Sequence, residues 1–269
     1  MANVPKYDTR NFSFGAGILY VAPYDIDNDK PIYPYIDVGA VKPGSVLRIN
    51  RDILDVVQGT PDLIVKSFVK SESIEFSIPS IEWNLENIQR ALGGGEYNDT
   101  LKKLRFGGSM DLDVYSLMFV HEMPSGDKIK IKIWKANPTG AMEINFGNDD
   151  VHQFEMNFRA LKSFYGWSEV DGENITDNSS GDSKFTDTLA NTPVVPYSVT
   201  IKIAGDTIKD DGKGNLVKDG ANVGTINYST GEIEIDGASY DGQSGTADYA
   251  TYVELSQNAS MIEIEKIVS

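Results

Sequence analysis

The chain contains no cysteine, which excludes a disulfide framework and any thiolate metal site and fits a protein made in a reducing cytoplasm. It has only two histidines, His121 and His152, on different predicted hairpins. A zinc or nucleophile site would need both to converge with carboxylates, and a structural role is the simpler reading of each. No stretch approaches the roughly 18 apolar residues of a membrane-spanning helix. Met1-Ala2-Asn3-Val4-Pro5-Lys6 does not read as a secretion signal. Positive charge is also scarce: 24 Lys and Arg stand against 40 Asp and Glu, a net charge of −16. The imbalance is local, with 18 acidic and 6 basic residues from Gly166 onward and 22 and 18 before it. A protein that wraps nucleic acid needs a basic surface, so the charge argues against that class, and a solvated surface is the simpler reading of it.

Chemical motifs are missing too. Gly93-Gly94-Gly95 and Gly107-Gly108 lack the lysine and flanking elements of a phosphate loop. Asp210-Asp211-Gly212-Lys213-Gly214-Asn215 has calcium-loop composition without calcium-loop spacing, and reads as a tight turn. Asn174-Ile175-Thr176 and Asn178-Ser179-Ser180 are glycosylation sequons by composition alone. Glu263 and Glu265 share one strand face, where an acidic row is solvated or at an interface. The expectation is a protein that is not an enzyme and holds no metal or cofactor.

What is present is β-pattern. Forty per cent of residues are apolar and ten per cent aromatic, enough for sizeable cores, and 269 residues suggest two domains. Ser73 to Ile78 alternates polar and apolar residues, as a half-buried strand does, and Pro79 ends it. Ser80 is the candidate N-cap of one short helix, about 80–92, with Ile81, Leu85, Ile88 and Leu92 at helical spacing and Gly93 as its C-terminal cap. Strands are predicted at Gly17–Ala22, Tyr35–Val41, Ser45–Asn50 and Met110–Val120. Lys128 to Ile133 is an amphipathic strand that turns at Asn137-Pro138-Thr139-Gly140 into Ala141–Phe146. Gln153–Leu161 repeats the alternation.

Two segments lack an evident cover. Residues 1–14 read as an arm carrying Phe12 and Phe14, either disordered or docked on a neighbour. Arg51 to Lys70 is apolar but split by Gln58-Gly59-Thr60-Pro61, which we read as an extended hairpin projecting from the body. Ile53, Leu54, Val56 and Val57 lie on its first strand, and Leu63, Ile64, Val65 and Phe68 on its second. Such a hairpin is an aggregation liability unless a partner covers it, so these residues and Phe12 and Phe14 are the candidate contacts between subunits. Lys128, Lys130 and Lys132, with Glu143 and Glu155, are candidates for cross-strand ion pairs or a lumen-facing row.

Beyond Tyr165 the composition turns to Asp, Ser, Gly, Asn and Thr, and residues 169–195 read as a linker. Short strands at Val199–Ile203, Val223–Tyr228, Glu232–Asp236 and Thr246–Val253 then suggest a small β-sandwich over 196–255. Met261 to Glu265 is a strong alternating strand. It either continues the sandwich or returns to the first domain, which would then comprise 1–168 with 256–269; the return is the preferred reading.

The strand-rich body resembles the major tail tube protein of long-tailed, siphovirus-like bacteriophages. The residues that carry the likeness are Tyr35-Ile36-Asp37-Val38-Gly39-Ala40-Val41-Lys42, the long hairpin, the helix read through Trp83 to Gly93, Gln153 to Leu161 and the closing Met261 to Ile267. It covers about residues 15–165, and no single motif is diagnostic. The resemblance implies a mainly β, tube-forming sandwich or barrel domain with an immunoglobulin-like decoration. It implies a virion protein, assembled in the host cytoplasm, whose copies form hexameric rings stacked into a DNA conduit. Its partners would be itself, a tape-measure protein, a tail terminator, and double-stranded DNA in passage without specific binding; no membrane is involved. Two other classes are carried alongside. A carbohydrate-binding or adhesive virion module would use Tyr197, Tyr228, Tyr240, Tyr249 or Tyr252, and a hydrolase would use paired carboxylates.

Overall fold

The computed structural model describes residues 17–108, 110–140, 142, 153–179, 181–255 and 261–267. The chain runs through β1 (Ile18–Asp25), β2 (Lys30–Pro31), β3 (Ile36–Asp37), β4 (Val46–Gln58) and β5 (Leu63–Ser80) to α1 (Leu85–Leu92). Then come β6 (Glu96–Asn98), β7 (Lys103–Arg105), β8 (Tyr115–Glu122), β9 (Lys128–Pro138) and β10 (Phe154–Ala160). Next are β11 (Tyr165–Thr176), β12 (Lys184–Thr188), β13 (Thr200–Ile203), β14 (Asp206–Asp210) and β15 (Asn215–Lys218). The last are β16 (Ala221–Ile226), β17 (Glu232–Asp236), β18 (Ser244–Glu254) and β19 (Ile262–Ile267). The protein is thus mainly β with one helix among the described residues. It divides into two compact units: 1–24 with 36–162 and 261–269, and 25–35 with 163–260.

In the first unit β1, β8, β9, β10, β5 and β4 are successive neighbours in one antiparallel sheet, with β3 on β1 and β19 on β9. Alternation builds its core. Leu19 and Val21, Ile74, Phe76 and Ile78, Leu117 and Phe119, and Phe154, Met156 and Phe158 all point the same way and are buried, as period-2 side chains on one sheet face must. Phe76 meets Phe119 edge-on at 5.3 Å, a favoured aromatic geometry.

The helix lies on this core through Ile88 and Ala91. Its start differs from the predicted one. Asn84, not Ser80, is the N-cap, and its Oδ1 accepts from the Asn87 amide at 2.8 Å. Ser80 instead ends β5, buried, with its hydroxyl unpartnered. Pro79 does not end the strand before it, since β5 continues to Ser80. Gly93 takes the left-handed conformation at φ 73° and donates its amide to Gln89, which fits its reading as the cap. Two predicted strands are shorter than expected: the first sheet takes only Ile36–Asp37 from Tyr35–Val41, and Tyr115–Glu122 from Met110 onward. The predicted strand 141–146 falls outside the described residues apart from Met142, as do the arm 1–14 and His152.

In the second unit the order is β11-β18-β13-β14-β15-β16-β17-β12. The strands β13 to β17 are sequential neighbours, a meander rather than the crossed-over order of an immunoglobulin sandwich. The ends of the order approach each other: the Thr176 amide donates to Asp187 at 2.7 Å and the Asn178 amide to the Thr186 carbonyl at 2.9 Å. Ile201, Ile208, Leu216, Ile235, Phe185 and Ala247 fill the interior. The segment expected as a linker is instead structure, since β11 runs to Thr176 and β12 begins at Lys184. Its acids make turns rather than solvate a loose chain. Asp177 alone accepts the amides of Ser179, Thr186 and Gly242, the bonding that makes such residues common in tight turns. Residues 25–35 belong to this unit as well.

Candidate assembly surface

The hairpin of β4 and β5 carries a long run of exposed apolar side chains in the first unit. Ile74 is buried at its root, but from Glu72 out to Leu63 every residue of β5 is exposed. At the strand rise of about 3.3 Å those ten residues make a ribbon of about 33 Å. Across it Ile53 faces Val69 and Leu54 faces Phe68. Adjacent pairs in a pleated ribbon point to opposite faces, so both faces carry apolar side chains. All eight candidate contact residues on this ribbon are between 42% and 65% exposed. Phe12 and Phe14 lie outside the described residues.

The ribbon is twisted by two bulges. The register shifts between Asp52 and Ile53 and again between Val56 and Val57, leaving Lys70 and Val65 as the extra residues of β5. Such bulges increase local twist. Polar contacts brace its flanks: Arg51 Nε lies 2.6 Å from Glu72, Lys70 lies 3.5 Å from Asp52, and the Ser67 hydroxyl donates to Asp55 at 2.5 Å. Lys66 Nζ stands 4.7 Å above the Phe68 ring. A two-stranded ribbon with no packed face is marginal in water, so these contacts alone give it little stability.

The lysines of β9 do not form an exposed row. Lys130 and Lys132 are buried and only Lys128 is exposed. β19 pairs along this half of β9 with Glu263 opposite Lys132 and Glu265 opposite Lys130. Lys132 Nζ is 3.2 Å from Glu263, 3.8 Å from Glu265 and 5.5 Å from the centre of the Trp134 ring. Lys128 lies 3.8 Å from Glu122 of β8. Glu155 is exposed on β10 opposite Pro79, and Glu143 lies outside the described residues. The partners are thus Glu263 and Glu265 of β19 rather than Glu143 or Glu155, and the matching runs Lys-x-Lys-x-Lys and Glu-x-Glu are the sequence signal for the β9–β19 pair.

Other candidate chemistry separates rather than converging. His121 is buried on β8 opposite Ile129. No cluster of three or more metal-binding side chains occurs among the described residues. Of the tyrosines considered for a ligand surface, three are spent internally: Tyr228 donates to Asp210 and Tyr240 to Asp206, each at 2.8 Å, and Tyr249 donates to Glu173. Burial, with those carboxylates, pushes all three phenols up. Tyr252 donates to the Pro31 carbonyl at 3.1 Å, and burial raises it to about 12. Tyr197 remains 43% exposed.

No family model and no curated relative matches the chain. Among solved structures, the chain is similar to a chain titled "Structure of the Phage P2 Baseplate in its Activated Conformation with Ca", at 8% identity and a TM-score of 0.26, covering 88% of this chain and 98% of that one. A second, titled "Structure of the phage p2 baseplate in its activated conformation with Sr", matches at 11% identity and a TM-score of 0.27, covering 90% and 99%. Likeness at this level carries no argument about fold or function.

Proposed function

We propose that the protein is a structural virion component that assembles with copies of itself into stacked hexameric rings, forming a tail tube through which DNA passes. The observation that supports this most is the β4–β5 ribbon, apolar on both faces and covered by nothing among the described residues. A ribbon of this kind is completed by insertion between neighbours, and head-to-tail contacts between copies give rings or stacks. The sheet also ends in β4, and closing it against the next copy removes that edge. A net charge of −16 suits a conduit, because a basic wall would retain phosphates while an acidic one lets them slide. A tape-measure protein inside the tube and a terminator at its end are the partners the family resemblance implies. Negative-stain electron microscopy of the purified full chain over a concentration series tests the reading. Rings or tubes are the expected result, and a sample of dispersed monomers at high concentration would overturn it.

A further inference from the structure

The second unit holds a cleft apart from the β4–β5 ribbon. It has a volume of about 430 Å³ and is lined by Asp25, Asn28, Lys30 and Tyr33 on one segment and by Tyr197 and Tyr252 from the sheet and its loops. That volume lies in the range of small-molecule sites, about 300–1,000 Å³. Its composition is aromatic rings beside hydrogen-bonding groups, with one negative and one positive side chain. The Asp25 carboxylate accepts from the amides of Asp27 and Asn28, at 3.0 and 3.1 Å, and from the Asn28 side chain at 2.7 Å. Lys30 Nζ sits over the rings of Tyr165 and Tyr252, 4.9 and 4.8 Å from their centres, a cation–π arrangement. The two charges offset each other, so the cleft has no net preference for an ion.

Tyr197 is the distinctive residue. Its backbone is left-handed, at φ 67°, a conformation rare for a bulky side chain and found preferentially at functional positions. Asp210 fixes it by accepting the Tyr197 amide at 2.5 Å. Its ring rests on Gly212, where a Cβ would lie 1.9–2.2 Å from three ring atoms. The chain therefore keeps a glycine under an aromatic side chain that stays partly exposed, while the neighbouring Tyr252 spends its hydroxyl on the Pro31 carbonyl.

We infer that this cleft binds a neutral saccharide, of mono- or disaccharide size, with Tyr197 as the stacking platform and Asp25 and Asn28 as hydrogen-bonding groups. Pyranose rings present apolar C–H faces and a rim of hydroxyls, which matches an aromatic surface bordered by a carboxylate and an amide. The test is saturation-transfer difference NMR on the full chain. The probes are glucose, galactose, N-acetylglucosamine, maltose and cellobiose, with glucuronate and glucosamine as charged comparisons. At least one neutral sugar should receive saturation with a dissociation constant of about millimolar, and the charged sugars should bind more weakly. Tyr197→Gly suits the left-handed backbone and removes only the ring, so it should keep the melting temperature and weaken binding about tenfold or more. If that variant fails to fold, Asn28→Ala, at an exposed turn position, carries the same expectation of weakened binding. Absence of transfer to every neutral sugar, preference for a charged one, or undiminished binding by the folded variant would each overturn the inference.

Discussion

Replacing Leu54 and Phe68 by aspartate should abolish assembly and leave the fold of the single chain intact. These residues face each other across the ribbon and are 55% and 47% exposed. Fully burying a Leu or Phe side chain contributes about 1.5–3 kcal/mol. About half of each side chain remains to be covered, so the pair stands to gain about 1.5–3 kcal/mol on contact with a neighbour. That corresponds to about 10- to 150-fold in association per contact. Two carboxylates placed in the same contact add a desolvation penalty of several kcal/mol, so the concentration needed for assembly should rise by at least about 100-fold. The monomer loses little, because both residues lie where β4 and β5 are exposed throughout among the described residues. Sedimentation velocity gives the assembly, and thermal unfolding of dilute protein gives the stability. The reasoning is refuted if the double variant assembles like the parent, or if its melting temperature collapses along with assembly. The latter result would mean that the side chains are part of the monomer's own core.

Three further outcomes test the account within each unit. Asn84→Ala should cost about 1 kcal/mol through loss of the helix cap, whereas Ser80→Ala should be neutral or stabilising, because the Ser80 hydroxyl is buried without a partner; chemical denaturation distinguishes them. Glu263→Gln with Glu265→Gln should cost about 1–2 kcal/mol by weakening the ion pairs of buried Lys132, a figure reduced because both glutamates are about half exposed; hydrogen exchange should show β19 releasing first. The Asp177 carboxyl is held below its ordinary value of 3.8 chiefly by the Gly242 and Thr186 amides. A lowered folded-state value gives stability that is present above 3.8 and lost as pH falls through the folded value. Asp177→Asn should therefore flatten the acid limb of stability as pH falls below the ordinary carboxylate value, measured as melting temperature against pH.

Much of the β architecture was legible because alternation is a direct record of burial. Phe154, Met156 and Phe158, and Ile74, Phe76 and Ile78, show it without interruption. The ribbon was visible too, as apolar strands around Gly59-Thr60-Pro61 with no polar alternation to suggest a solvent face. The helix boundary was not. Ser80 and Asn84 are both good N-cap residues, and only the Asn84–Asn87 contact decides between them. The segment 169–195 misled for a physical reason: Asp177 and Asp187 collect backbone amides and so permit turns between strands, yet their composition is that of a flexible connector. The cleft was hidden because its two walls, residues 25–33 and the segments around Tyr197 and Tyr252, are distant in sequence.

The absence of native cysteine allows one reporter thiol to be placed at will. An environment-sensitive fluorophore on a cysteine at position 54, read alongside particle mass as concentration rises, tests most directly whether copies of the chain cover this ribbon. The account predicts that the label moves into an apolar environment in step with growth of ring-sized and larger species. A label that stays in water while such species form, or a chain that remains monomeric throughout, would contradict it.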